Sequence, residues 1–371
     1  MLLTYLALAT TVAPSEGLPC RVAVQHVCEV ATPFAPAAVE ALLRQQPEAW
    51  WVLGDTVTVI ARRKEQARFC CAIQMGLRPL GNDLHALSVR IADIQNAIFD
   101  VRVLPDPNLN RLAPVWRGPA APAAPKFATR ANRRKVHKID SVHLRQERSL
   151  YVDTPVGFES MRDLPVIYFA DGGSSSFASI AEALRQEAKA APVIIVGIQS
   201  ARSTTTPHCA PRCDPRSQEY LLNIPDATPD ESRFDAHARF VNEEVIPYIE
   251  ERYPVARTRD RRATAGFSSG AAWAVSMAAR YPKRFANVIG LSLGWKPAAE
   301  EASKLIGAKV FLGAGKLEAR FFDRTRLASD LASASGAEVR LLTPNAGHSM
   351  DMWEILFADA LPWLFAAERQ K

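Results

Sequence analysis

The sequence contains no uninterrupted run of about 20 apolar residues, the length a membrane-crossing helix needs. It also lacks a Gly-X-Y repeat, a sustained heptad and any segment recurring at a fixed period. These absences exclude integral membrane helices, collagen-like and coiled-coil chains, and solenoids or propellers. Cysteine is scarce, with six in 371 residues. His208-Cys209 with Cys213 has no second pair of ligands at a useful spacing, so no metal is expected. An excess of one charge is nearly missing as well: 45 Lys and Arg against 39 Asp and Glu leave +6. The densest basic stretch runs from Lys126 to Lys138, and no Phe, Tyr or Trp interleaves its charges from Arg130 onward. Single-strand binding uses such rings for stacking. The stretch therefore reads as solvated linker, and no nucleic-acid partner is expected.

What is present describes an ordinary globular protein, with 48% hydrophobic and 23% charged residues. The length suggests two domains, or one large domain with an appendage. Residues 1–16 begin Met1-Leu2-Leu3-Thr4-Tyr5-Leu6 and reach Ala13-Pro14-Ser15. They resemble a secretory signal, although no Lys or Arg stands at the start. A periplasmic or secreted location is the expectation and a cytoplasmic one the alternative. The even cysteine count suits disulfides in an exported protein, with the pairing open.

Residues 20–104 read as a β-rich domain. Leu87-Ser88-Val89-Arg90-Ile91 and Ile98-Phe99-Asp100-Val101-Arg102-Val103 alternate with period 2, as half-buried strands do. Ala37 to Arg44 is more helical. From Pro105 to Pro125 there are six prolines interleaved with alanine, an extended connector that opens a linker over 105–139. From 140 to 371 the style changes. Val166-Ile167-Tyr168-Phe169 and Val193-Ile194-Ile195-Val196 are continuous apolar runs, as strands buried on both faces require. Further runs lie at 262–265, 288–291, 310–312 and 339–342, and amphipathic helical segments at 180–190, 234–253, 271–281, 321–335 and 352–367 separate most of them. Alternation of this kind predicts a mostly parallel sheet covered on both faces. Its reactive groups belong at the carboxyl ends of the strands.

The sharpest motif is Gly266-Phe267-Ser268-Ser269-Gly270, between a short strand and a helix. A strand turning abruptly into a helix projects its central hydroxyl, and the flanking glycines avoid collisions with neighbouring backbone. Ser268 is thus the candidate nucleophile. A serine hydroxyl needs a base, and His348 alone among the seven histidines lies beyond the last strand, just before a helix. His237, on the 234–253 helix, reads as structural. The acid should follow the strand at 310–312. Glu318 lies in the loop leaving it, whereas Asp323, the rival, falls on a helix. Two amides should face the developing oxyanion: that of Ser269, directly after the nucleophile, and that of Gly173 in Ala170-Asp171-Gly172-Gly173. Asp171 either touches substrate or holds this loop, and holding is the preferred reading.

Taken in order, these pieces resemble the "putative esterase" branch of the α/β hydrolases. That branch includes siderophore esterases, S-formylglutathione hydrolase, feruloyl esterases and mycolyltransferases. The likeness covers about 140–371. It rests on Tyr168–Gly173, Glu219-Tyr220-Leu221, Glu243–Ile249, Gly266–Gly270, and Gly347-His348 with Trp353. It implies an α/β-hydrolase fold, a triad of Ser268, Glu318 and His348, and an oxyanion hole at Gly173 and Ser269. A small-molecule ester is the implied partner, and no cofactor is implied. Arg202, Arg216, Glu219 and Trp295 either face the pocket or form salt bridges and packing. The reading is a serine hydrolase of carboxylic esters, siderophore-type or otherwise bulky. The alternatives are an acyltransferase with the same triad and a non-catalytic binding protein on the same fold.

Overall fold

A computed structural model describes residues 19–24, 26–32, 34–106, 113–129, 133–201, 212, 214–225 and 233–367. The segment 1–16, Arg202, Cys209 and Cys213 lie outside the described residues. The chain forms two compact bodies. The first comprises residues up to Pro122 together with Gly315–Ala319 and Pro344–Met352; the second comprises Ala123–Ala314, Arg320–Thr343 and residues from Trp353 onward.

In the first body, β1 to β11 are Val22–Val24, Val27–Val30, Glu48–Leu53, Thr56–Arg62, Arg68–Cys70, Met75–Gly76, Arg78–Gly81, Leu84–Ile91, Ile98–Asp100, Arg102–Leu104 and Val115–Arg117. The main sheet has the order β1-β2-β8-β4-β3, with β7 also on β8. All its pairings are antiparallel. One face carries Val57, Val59, Leu87, Val89 and Ile91, which enter a core with Phe69 and Phe99. Disulfides join Cys20 to Cys28 and Cys70 to Cys71.

In the second body, β12 to β19 are Arg133–Ser141, Gln146–Thr154, Val166–Phe169, Ile194–Ile198, Arg262–Phe267, Asn287–Leu291, Lys309–Gly313 and Glu338–Leu342. They form one eight-stranded sheet in the order β12-β13-β15-β14-β16-β17-β18-β19. β12 and β13 pair antiparallel, as do β13 and β15, and every other pairing is parallel. All four residues of β14 and all five of β15 are buried, which is why their sequences are continuously apolar. Phe267, Leu291, Gly313 and Leu342 are in register, so β16 to β19 end level with one another.

The helix Ser269–Arg280 lies against β16 and β17 through buried Ala271, Ala272, Ala274 and Ala278, small residues that let backbone approach closely. Its Trp273 is fully buried, and truncation to alanine would cost about 3–5 kcal/mol.

Two local readings change. β12 begins at Arg133, inside the stretch read as basic linker, and Arg134 pairs across the strands with Asp153. The helix read over 234–253 is Phe234–Arg239, then a π-helical turn over Phe240–Val245, then Ile246–Arg252. Pro247 has no amide to give the carbonyl four residues back, and Asn242 Nδ2 donates to Ala238 O at 2.8 Å. Both features disturb the regular ladder and favour the wider turn.

Candidate active site

The end of β16 shows how the sequence builds its bend. Ser268 has φ 57° and ψ −123°, a sparsely populated conformation for a side-chain-bearing residue. Neighbouring backbone holds it there: the Ser268 amide donates to Leu291 O at 2.9 Å, and the Gly294 amide donates to Ser268 O at 3.0 Å. A Cβ on Gly266 would stand 2.3 Å from Gly270 O, so glycine is required where strand and helix cross. The side chain of Phe267 stacks on Trp353 at 4.2 Å, and Trp353 Nε1 donates to Ser292 Oγ at 2.8 Å. Ser268 is half-buried, and Ser269 opens the helix, whose first amides have no intrahelical carbonyl to bond.

The turn after β14 lies beside this helix start. A Cβ on Gly270 would meet Ala170 Cβ at 2.9 Å and Asp171 Oδ2 at 3.1 Å. Asp171, Gly172 and Gly173 all have positive φ. Asp171 Oδ1 and Oδ2 each accept from Arg216 at 2.6 Å, Ser200 Oγ donates to Oδ1 at 3.0 Å, and the Asp171 amide donates to Tyr220 Oη at 2.8 Å. Asp171 and Arg216 thus fix the turn. The Gly173 amide donates to Ala170 O at 3.1 Å, so an oxyanion would share it with that carbonyl. A cavity of about 340 Å³ opens here, lined by Arg134, Tyr151, Asp171, Gly173, Gln199 and Arg216 among others.

Glu219 and Trp295 do other work in the same body. Glu219 is buried against Arg148 and accepts from the Ala201 amide at 2.8 Å. Burial pushes its carboxyl up, against the pull of Arg148. Trp295 Nε1 donates to Leu222 O at 2.6 Å. His237 accepts from Trp273 Nε1 at 3.1 Å. Burial, reinforced by the charges of Arg148 and Arg233, lowers it to about 3, so it stays neutral.

The first body contains the acid and base candidates. His348 Nδ1 donates to Glu318 Oε1, and the Gly315 amide donates to Glu318 Oε2 at 2.6 Å. Glu318 is buried and His348 keeps a small exposed area. Of the two carboxyls weighed, Glu318 is the one bonded to the imidazole; Asp323 is exposed on the helix Ala319–Ala334. Asp100, at the end of β9, is pushed up by burial to about 6, partly offset by its own backbone amide and by the charges of Arg102 and His348.

Sequence reasoning missed Arg134, Tyr151 and Gln199 as lining residues. Arg134 carried a signal in retrospect, since a basic residue opposite Asp153 reads as a strand pair only once β12 is recognised. Among the described residues, no group of three or more His, Cys, Asp or Glu could hold a metal ion. No helix among them is long and apolar enough to cross a membrane.

Residues 141–364 match the family model described as "Putative esterase". No curated protein matches the chain. The enterobactin esterase of Shigella flexneri, solved in the presence of enterobactin, is similar in structure at a TM-score of 0.63 and 15% identity, over 88% of this chain and 97% of that one. The ferric enterobactin esterase of Salmonella typhimurium gives 0.61 and 16%, over 88% and 98%. A ferulic acid esterase of Anaeromyces mucronatus, solved with ferulic acid, gives 0.50 and 17%, over 64% of this chain and 93% of that one. With the level strand ends, the bend at Ser268 and a family match over more than half its length, the chain belongs to the "Putative esterase" branch of the α/β hydrolases and is a carboxylic ester hydrolase.

Proposed function

We propose that this esterase works through an acyl-enzyme on Ser268, with His348 as its base and Glu318 as the acid that orients the imidazole. The observation that carries the reading is the bend at Ser268, a serine at φ 57° between a buried strand and a helix start. A conformation that costs about 1–3 kcal/mol persists only where the surroundings over-determine it, and such sites cluster at reacting groups. The Glu318–His348 bond supports the second half. An imidazole whose Nδ1–H is given to a carboxylate keeps a lone pair on Nε2 for a proton.

In this reading Ser268 Oγ attacks the ester carbonyl and its proton passes to His348 Nε2. The Ser269 and Gly173 amides face the tetrahedral oxyanion, the latter shared with Ala170 O. The imidazolium returns its proton to the departing alcohol, and water then releases the acyl group by the same route. The cavity beside Gly173 has guanidinium, phenol and amide groups on its walls. Such a lining suits an oxygen-rich ester better than a long fatty acyl chain. A siderophore-type ester is the proposed substrate class, the Shigella neighbour having been solved in the presence of enterobactin. Ser268→Ala is expected to lower kcat on a short aryl ester by at least about 10³-fold. A fluorophosphonate should label Ser268 in the parent only. Parental turnover by the purified variant, with contaminating esterase excluded, overturns the proposal.

A further inference from the structure

The acid and base loops are bonded to strands and turns that precede them by more than two hundred residues. Ile98, in β9, gives its amide to Asn345 O at 2.9 Å and takes the Gly347 amide on its carbonyl at 2.8 Å. Ile98 and Ala346 thereby form a parallel bridge, and Ala346 is buried. Asn345 Nδ2 donates to Ala92 O at 2.9 Å and to Asp93 O at 2.7 Å. Gly347 lies flush on Ala72: a Cβ there would stand 2.5 Å from Ala72 Cβ and 2.7 Å from its Cα. The Glu318 loop is tied in as well. The Leu317 amide donates to Ala346 O at 3.1 Å, and the Leu317 side chain is buried among Phe69, Phe99 and their neighbours.

These contacts leave the residue before His348 no freedom to shift. Its amide is committed to β9, its Cα touches Ala72, and the residue two positions earlier is anchored at side chain and carbonyl. A loop whose only task was to close the fold would need none of this on its own chain neighbours.

We propose that β9 and the Ala72 turn are part of the catalytic machinery, setting the position of the His348 imidazole, with Asn345 and Gly347 as positioning residues. The inference rests on His348 being the base of the proposed reaction. Misplacement of a reacting group by 1 Å can cost about a hundredfold in rate. The role should therefore show in kcat rather than in KM.

The test compares full-length variants on one aryl ester. Asn345→Ala, which removes two donors at the surface, is expected to lower kcat about tenfold with KM within twofold. Asn345→Gln, which keeps the amide, should recover part of that loss. Gly347→Ala should lower kcat about a hundredfold, and if it does not fold, the Asn345 pair alone decides. Arg78→Ala serves as the control, since it breaks the ion pair with Glu29 in the main sheet of the same body, away from β9. It should keep the parental kcat. Parental kcat in Asn345→Ala, or an equal fall in Arg78→Ala, overturns the inference. His348→Ala separates the two proposals. If it still turns over, the function reading fails; if it is inactive while Asn345→Ala is parental, only the positioning role fails.

Discussion

Glu318 holds His348 with one carboxylate oxygen while the other accepts the Gly315 amide at 2.6 Å. Neither oxygen is free to rotate away, so the protein itself sets the orientation of this carboxylate. Glu318→Gln keeps the shape but replaces one acceptor with an amide donor facing Nδ1–H, which favours the wrong tautomer. We expect kcat to fall by about 10³-fold or more with KM within threefold. Steady-state kinetics on an aryl ester checks this, and a loss under tenfold would remove Glu318 from the orienting role.

Asp171 and Arg216 form a second fixed pair, with two parallel bonds of 2.6 Å in a half-buried setting. Lysine keeps the charge and loses the planar fork. Arg216→Lys is expected to lower kcat about tenfold through the Gly173 turn. In a double-mutant cycle, Asp171→Ala and Arg216→Ala should couple by about 1–3 kcal/mol. Strict additivity in unfolding and in kcat would show that the pair does not act as a unit.

Arg134 lines the cavity beside the Gly172-Gly173 turn and is itself bonded to Asp153. If the substrate is a triscatecholate trilactone, Arg134→Gln should raise KM for it about tenfold and leave kcat for a small acetate ester within twofold. An equal change on both substrates, with unaltered thermal unfolding, would exclude a specificity role.

His237 predicts a pH dependence. Its folded value, about 3, lies below the ordinary 6.5 because burial penalises the charged ring. The unfolded chain takes up the proton first as pH falls. Stability from the neutral ring is therefore fully present above about 6.5 and is lost as pH falls toward 3. Urea unfolding at pH 7.5 and pH 5 should show the parent losing stability across that interval. His237→Phe should lose less, although it starts lower because Trp273 no longer has its acceptor. Parallel slopes in both proteins would contradict the argument.

Much of this was legible in the chain, for reasons particular to each element. Val166–Phe169 and Ile194–Val196 could be read because a strand buried on both faces leaves no alternation. The bend at Ser268 could be read because Gly266 is demanded by backbone contact with Gly270, only four residues on. That Glu318, not Asp323, would meet His348 could be read from the loop's position after β18. Arg134 was misread because a basic run looks the same solvated or paired, and its partner Asp153 is named only by register. The π-helical turn at Phe240–Val245 was missed because Pro247 acts on a carbonyl one turn earlier without breaking the apolar period. The hold on the His348 loop was invisible for another reason: hydrogen bonds across such long separations, from β9 at Ile98 and from Ala92 to the Asn345 side chain 253 residues on, leave no trace in composition or periodicity.

That separation bears on how the chain is made. On a ribosome, β9 emerges long before Asn345-Ala346-Gly347, so the edge at Ile98 stays open while the whole hydrolase sheet is synthesised. An unpaired strand edge invites pairing with other chains, and closing so long a loop is slow. The bridge from Ile98 to Ala346 can form only after those late residues are made, and their arrival both covers that edge and fixes the residue before His348.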